Sequence, residues 1–141
     1  MLGWTGFAVP TLLRLRHGVL TTGPIVGLLW ATWHLLVTFW TSGVTSGALS
    51  LSSYLLAPFL FLVVFSVLMV WVYDRTGGSL LVAGVLMHVS LTASTLILGS
   101  QGTAGVPLLT FDLVWAAVLG LVVAAAAVAN GGHLSRQPLR R

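Results

Sequence analysis

The chain has 141 residues, of which 57% are hydrophobic and only 6% are charged. Soluble domains carry about 25% charged residues, so this composition excludes an ordinary soluble domain and predicts a polytopic membrane protein. The formal net charge is +4, and every basic residue is an arginine. We expect these arginines to anchor helix ends at an anionic lipid bilayer, and we expect no nucleic-acid partner. The absence of cysteine excludes disulfides, thiolate metal ligands and a cysteine nucleophile.

Residues 1–13 are apolar, but this stretch is too short and too interrupted to cross a bilayer. The interruptions are Gly3, Gly6 and Pro10, and Arg14, Arg16 and His17 then mark a water interface. This pattern predicts a short re-entrant or interfacial segment at residues 1–21. The segment also has the character of the end of a membrane element whose earlier part lies upstream.

Four apolar stretches follow, and each is long enough for a membrane-spanning helix. They are residues 22–40, 54–73, 79–98 and 108–130, and the second has Tyr54 and Tyr73 at its ends as interfacial anchors. Uncharged loops are predicted at residues 41–53 and 99–107, and paired glycines predict a tight turn at residues 74–78. The chain should therefore be all-α, a single membrane domain of about four transmembrane helices with a basic tail at residues 131–141.

The distribution of arginine predicts the orientation in the membrane. With four spans, all of the basic residues fall on one side, and they are Arg14, Arg16, Arg75, Arg136, Arg140 and Arg141. Neither loop on the other side carries any arginine. The positive-inside rule then places both termini in the cytoplasm, and we expect a multi-pass protein of a bacterial plasma membrane.

Two histidines lie deep inside predicted spans, where an ionisable residue is costly and is a functional-site candidate. At 1.5 Å per residue, His34 lies about 18 Å from the cytoplasmic end of its helix and His88 lies about 14 Å from the same side. Both depths are near the middle of a hydrocarbon core about 30 Å thick. Trp30 lies one turn before His34, and Thr92 lies one turn after His88, so each histidine has a neighbour on its own helix face.

Two imidazoles at one depth can bind a divalent metal or act together on a water and an oxyanion. Both roles also need a carboxylate, and the chain has only two acids. Asp74, in the predicted turn, is expected to be an interfacial charge, and Asp112 is expected to be a helix-entry residue at the outer end of the fourth span. The plainer alternative is that each histidine only hydrogen-bonds to a neighbouring helix.

Small residues at four-residue spacing favour close contacts between membrane helices. Gly23 with Gly27, and Gly120 with Ala124, have this spacing. Such pairs mark helix packing more often than chemistry, so we expect them to be contact points.

Three stretches of the sequence resemble the motifs of one membrane-protein family. They are Gly3-Trp4-Thr5-Gly6-Phe7 followed by Pro10, Trp30-Ala31-Thr32-Trp33-His34, and His88-Val89-Ser90-Leu91-Thr92. In these types and spacings the chain resembles the CPBP intramembrane proteases, relatives of the type II CAAX prenyl endopeptidases that are also called the Abi family. The pattern of that family is Glu-Glu-x-x-x-Arg, then Phe/Trp-x-x-x-His, then His-x-x-x-Asn. The resemblance covers residues 2–98.

The resemblance implies an intramembrane endopeptidase whose substrate is a membrane peptide or a prenylated peptide. It implies catalytic roles for Trp30, His34, His88 and Thr92. It also implies that the glutamates activate water, alone or through a divalent metal such as zinc, for which His34 and His88 would be ligands. His34 would assist the attacking water or bind the metal, and His88 with Thr92 would steady the oxyanion or complete the metal site.

The chain departs from the family pattern at three points. Thr5 stands where arginine is expected, Thr92 replaces asparagine, and the Glu-Glu pair would fall at Met1 and just before it, where it is absent. Water needs a base or a metal to become a nucleophile at neutral pH, so we expect that the 141-residue chain does not hydrolyse peptides. Two alternatives remain open. One is a non-catalytic immunity or partner-binding protein on the same scaffold, and the other is a transporter fragment whose histidines relay protons.

Overall fold

The computed structural model describes residues 3–15, 18–98, 106–131 and 134 of the chain. Within these residues every regular element is a helix and none is a strand, which confirms the predicted all-α class. Residues 16 and 17, most of the predicted loop at 99–107 and most of the predicted tail at 131–141 lie outside this description.

Five helices follow one another along the described chain, and two of them contain a π-helical stretch. Helix α1 is π-helical over Trp4–Ala8 and α-helical over Val9–Arg14, and helix α2 covers Val19–Thr38. Helix α3 covers Leu51–Arg75. Helix α4 is π-helical over Leu81–Leu86 and α-helical over Met87–Leu98, and helix α5 covers Val106–Ala129.

Three stretches of these helices are long and apolar enough to cross a membrane. They are Val19–Thr38, Leu51–Arg75 and Leu109–Ala129, which correspond to the first, second and fourth predicted spans. They indicate a membrane protein. The third predicted span, residues 79–98, is helical as α4, but its apolar stretch Leu81–Ser94 is shorter than the other three. A crossing by α4 and a re-entrant role for α1 therefore stay predictions.

Local chemistry explains where helix α3 begins and ends. It begins three residues before the predicted Tyr54, because the Ser50 hydroxyl accepts a hydrogen bond from the Ser53 N–H at 3.3 Å and caps the helix. It ends at the predicted turn, where Gly77 and Gly78 have positive φ angles of 69° and 88°. Only glycine adopts such angles at no steric cost, so the chain reverses here.

Helices α2 and α3 pack antiparallel and in close contact. A Cβ atom placed on Gly23 would lie 2.6 Å from the Cα of Val67, and one on Gly27 would lie 2.6 Å from the Cα of Val63. No larger residue fits at that distance, so the predicted helix contact of this glycine pair is confirmed. A Cβ on Gly120 would meet no atom of the described chain within 4 Å, so that glycine makes no comparable contact.

Helices α3 and α5 pack side by side in the same direction. At their carboxyl ends, Arg75 Nη2 donates a hydrogen bond to Asn130 Oδ1 at 2.5 Å. Ten residues earlier on α3, Phe65 lines the same groove as Trp115 of α5, which confirms the parallel direction. Helices α1 and α4 contact each other through their π-helical stretches, and the apolar core lies chiefly between α2 and α3.

Candidate functional site

The two histidines singled out by the sequence both lie against one tryptophan. The Trp30 ring centroid is 5.2 Å from that of His34, in an edge-on arrangement. It is 5.8 Å from the ring centroid of His88, with the planes inclined by 49°. The two imidazole centroids are therefore at most about 11 Å apart. We call Trp30, His34 and His88 the imidazole site.

An aromatic cluster holds the Trp30 ring in place. Trp30 and His34 are four residues apart on α2, so both side chains lie on one face of that helix. Trp30 is only 3% exposed, because its ring also packs on Phe65 of α3 at 5.8 Å between centroids. Phe65 packs in turn on Phe61 at 6.3 Å. The Trp30 ring is thus held by α3, and both imidazoles pack against it.

The imidazole of His34 has one nitrogen in a hydrogen bond and the other available. Its Nδ1 lies 3.2 Å from the carbonyl oxygen of Trp30. A carbonyl oxygen only accepts, so in the neutral ring the proton is on Nδ1 and the lone pair is on Nε2. His34 is half-buried. It can therefore accept a proton or a hydrogen bond through Nε2.

Hydroxyl groups tie the helix turn that carries His34 to helix α3. Thr38 Oγ1 donates to the His34 carbonyl oxygen at 2.8 Å and lies 3.0 Å from the Tyr54 hydroxyl. The Tyr54 hydroxyl donates to the Leu35 carbonyl oxygen at 2.6 Å. The sequence pattern predicted Tyr54 only as an interfacial aromatic, because no spacing rule connects residues 54 and 35. Tyr54 and Phe65 are the residues of this region that sequence reasoning missed.

The Nδ1 atom of His88 lacks the hydrogen bond that the Nδ1 atom of His34 makes. Its Nδ1 is buried and has no hydrogen-bond partner among the described residues. A buried polar atom left in this state costs about 1–3 kcal/mol and calls for an explanation. Within the described chain neither imidazole makes the interhelical hydrogen bond that a purely structural histidine would make.

Thr92, the fourth predicted site residue, faces outward. Its side chain is exposed, and its hydroxyl donates to the His88 carbonyl oxygen at 3.0 Å. To donate to an oxyanion, the hydroxyl would have to give up this bond within its own helix. The structure thus brings Trp30, His34 and His88 together and places Thr92 at the edge.

The two acids do not complete the imidazole site. Asp74 lies at the carboxyl end of α3, and Asp112 lies half-buried in the second turn of α5. In the part of the chain that the structure describes, no three His, Cys, Asp or Glu residues are grouped so that they could hold a metal ion. Catalytic zinc has three protein ligands, and two imidazoles fall short of that number. The described residues alone do not fit the implied zinc ion.

Thr5, at the position of the family's arginine, has a packing role. It is fully buried, and its hydroxyl donates to Met69 Sδ at 3.7 Å. Its Cγ2 would lie 3.5 Å from a Cβ placed on Gly84. Thr5 therefore packs as an uncharged side chain between α1, α3 and α4. An arginine at this position would place a charge in the same buried contact.

The fold and the site define a helical membrane protein that holds two imidazoles on one tryptophan inside its bundle. No protein-family model, no curated protein and no solved structure matches this chain. Function is therefore inferred from the chemistry of the imidazole site and from the resemblance of its motifs.

Proposed function

We propose that this chain is the histidine-bearing part of an intramembrane endopeptidase of the CPBP type, which needs a carboxylate from beyond the described residues to cleave peptides. The observation that carries the proposal is the packing of His34 and His88 on Trp30 within the helix bundle. Hydrolysis at a buried peptide bond needs a hydrogen-bond acceptor that orients the water, a group that stabilises the oxyanion and a base that takes the proton of the water. The imidazole site offers the first two.

The path of α1 supports a carboxylate at the depth of the imidazole site. Thr5 of α1 lies beside Gly84 of α4, and Gly6 lies beside Leu80, so the two helices run antiparallel. His88 is four residues beyond Gly84, or about 6 Å along the helix axis. A helix continued one turn upstream of Thr5 would therefore reach the level of His88. A glutamate carried there would lie at the depth of both imidazoles.

In the proposed reaction, the carboxylate takes a proton from water as the water oxygen adds to the peptide carbonyl carbon. The lone pair on His34 Nε2 accepts a hydrogen bond from that water and orients it. His88 donates a hydrogen bond to the carbonyl oxygen as it becomes an oxyanion. The proton then passes to the amide nitrogen, the C–N bond breaks, and a carboxylic acid and an amine leave.

The test compares two forms of the chain in liposomes that contain a tagged membrane peptide. One form is the 141-residue chain, and the other carries Met-Glu-Glu in place of Met1. We expect no cleavage by the first form and cleavage by the second. In the second form, His34→Ala and His88→Ala should each lower the rate by about 100-fold or more, which is the usual contribution of acid-base groups.

Matched controls separate chemistry from folding. His17→Ala changes a predicted interfacial histidine, and Trp33→Phe changes a tryptophan of α2 that is 58% exposed, so both should leave the rate unchanged. Failure of the folded Glu-Glu form to cleave would contradict the proposal. Cleavage by the 141-residue chain that is lost in His34→Ala would show that a residue of this chain supplies the base, and Asp112 would be the first candidate.

We also propose the four-span orientation, with both termini in the cytoplasm of a bacterial cell. Helices α3 and α5 run in the same direction, so the chain between them has to return to the other end of the bundle. Helix α4 is the described segment that makes this return, and it supports the fourth crossing. Arg14 and Arg75 both lie on the predicted cytoplasmic side and are exposed.

The absence of native cysteine makes this orientation testable by labelling. Ser46→Cys lies in the exposed connection between α2 and α3, and Thr76→Cys lies in the exposed turn after α3. In intact cells, an impermeant maleimide should label the first and not the second, and permeabilised cells should label both. Labelling of Thr76→Cys in intact cells would overturn the orientation.

A non-catalytic, partner-binding protein is the second candidate, and it is favoured by the lack of a third metal-binding or acidic group in the described site. If the protein only binds a partner, the Met-Glu-Glu form should not cleave the membrane peptide, and the immunity or binding phenotype should survive His34→Ala. The same pair of variants therefore separates the two functions.

A further inference from the structure

Helix α4 changes its hydrogen-bond pattern just before His88. The Ala83 N–H bonds to the Ser79 carbonyl oxygen, four residues back, as in an α-helix. The Met87 N–H bonds to the Val82 carbonyl oxygen, five residues back. The π-helical stretch Leu81–Leu86 thus holds about one residue more than an α-helix of the same length would.

The two sides of this stretch are held very differently. Just upstream of it, Leu80 lies 3.6 Å from a Cβ placed on Gly6 of α1, and within it Gly84 is buried, with a Cβ there lying 3.5 Å from Thr5. On its downstream side, Val89, Leu96 and Ile97 are 57%, 58% and 80% exposed. The first part of α4 is therefore held against α1, whereas the part that carries His88 packs on the core through Met87 and Leu91 and leaves its other face exposed.

An open groove borders the downstream part of α4. It has a volume of about 250 Å³ and separates α4 from α5, with Phe65 of α3 also in its wall. Leu91 and Ser94 line it from α4, and Trp115 and Leu119 line it from α5. Because α4 is not packed tightly against α5, it has room to turn about its own axis.

We propose that the π-helical stretch Leu81–Leu86 is a register switch that places His88 on Trp30 or removes it. If the stretch relaxes to an α-helix, each downstream residue advances by about one position, or roughly 100° around the axis. Met87 then takes the place of His88 on Trp30, and His88 moves to the exposed place of Val89. The switch assembles or takes apart the imidazole site without unfolding the bundle.

The two registers have opposing advantages. The α register restores regular hydrogen bonds to the helix. The π register keeps the His88 ring against Trp30 and away from lipid. The two states exchange within the folded protein, and anything that binds one register better shifts the population toward it.

The cysteine-free chain allows a direct distance measurement with spin labels. Labels on Ile97→Cys and Val114→Cys report the rotation of α4 against α5, since both side chains are exposed. A helix with its side chains is about 10–12 Å wide, so the rotation displaces the label by up to about 8 Å. In the intact protein we expect two distance populations. A single population would overturn the proposal.

Three comparisons make the result specific. A pair on Leu56→Cys and Val114→Cys spans α3 and α5 and should show one distance, which also reports a correct fold. Deletion of Val85 removes the extra residue, so one population should remain at the distance of the π register. His88→Ala, which removes the ring contact with Trp30, should deplete that same population. Two populations that persist unchanged in both variants would contradict the switch.

Discussion

Helices α2 and α3 pack far more closely than helices α4 and α5. Between α2 and α3, Gly23 and Gly27 bring the backbones so close that an added Cβ would lie 2.6 Å from a facing Cα. Between α4 and α5 lies an open groove, and Gly120 of α5 meets nothing within 4 Å among the described residues. The same small-residue spacing thus produced a contact in one place and none in the other.

Because of this difference, one part of the imidazole site lies on the closely packed α2–α3 pair, and the other part lies on the loosely packed helix α4. His34 and Trp30 belong to the rigid α2–α3 pair, where Phe65, Thr38 and Tyr54 support them. His88 belongs to α4, two residues after a π-helical stretch. A site built in this way keeps one imidazole in place and can regulate the other.

The largest effect on stability should come from removing the Trp30 ring, which contacts both imidazoles. Trp30→Ala deletes a buried indole and should lower the free energy of unfolding by about 3–5 kcal/mol. Trp115→Ala, on α5 beside the open groove, should cost less than half as much, because its ring is only half-buried. Denaturant titration in detergent micelles measures both. Equal losses would show that the α5 side is packed as firmly as the α2–α3 pair.

A smaller loss should follow from adding one methyl group to the close contact. Gly27→Ala places a Cβ 2.6 Å from the Val63 Cα, and overpacking of this kind costs about 1–3 kcal/mol. Gly120→Ala should be neutral or should stabilise by up to about 1 kcal/mol, because the space is open and alanine favours a helix. Thermal unfolding of the two variants side by side checks this. A stable Gly27→Ala protein would contradict the close approach of α2 and α3.

The smallest effect concerns the hydroxyl clamp near His34, which consists of the hydrogen bonds of the Thr38 and Tyr54 hydroxyl groups to the end of α2. Tyr54→Phe removes the bond to the Leu35 carbonyl oxygen and should cost about 1 kcal/mol, with faster amide exchange in the last turn of α2. Tyr73→Phe is the matched control, because it removes the same hydroxyl group at the other end of α3. Equal exchange rates in the two variants would show that the clamp does not hold this turn.

Local features of the fold could be predicted from the sequence. The all-α class and three of the apolar spans followed from composition and length, and the turn at Gly77 and Gly78 followed from glycine chemistry. The i, i+4 spacing placed Trp30 and His34 on one face of α2, because helix periodicity depends only on the chain itself. These features need no knowledge of neighbouring helices.

Only the tertiary structure decided which faces meet. Each span is apolar over most of its surface, so hydrophobic pattern does not tell a lipid-facing side from a helix-facing one. For that reason the sequence did not distinguish Gly27, which is packed, from Gly120, which is open. It also did not show that Phe65 lies behind Trp30 or that Thr92 faces outward.

The π-helical stretch in α4 was also not predicted from the sequence. Residues 81–86 are an ordinary apolar run with no proline, and nothing in their order marks an extra residue in the turn. The extra residue is accommodated where Gly84 meets Thr5 of α1 and where His88 meets Trp30 of α2. The sequence by itself determined the helices and the two histidines, whereas packing between helices decided that both imidazoles share one tryptophan.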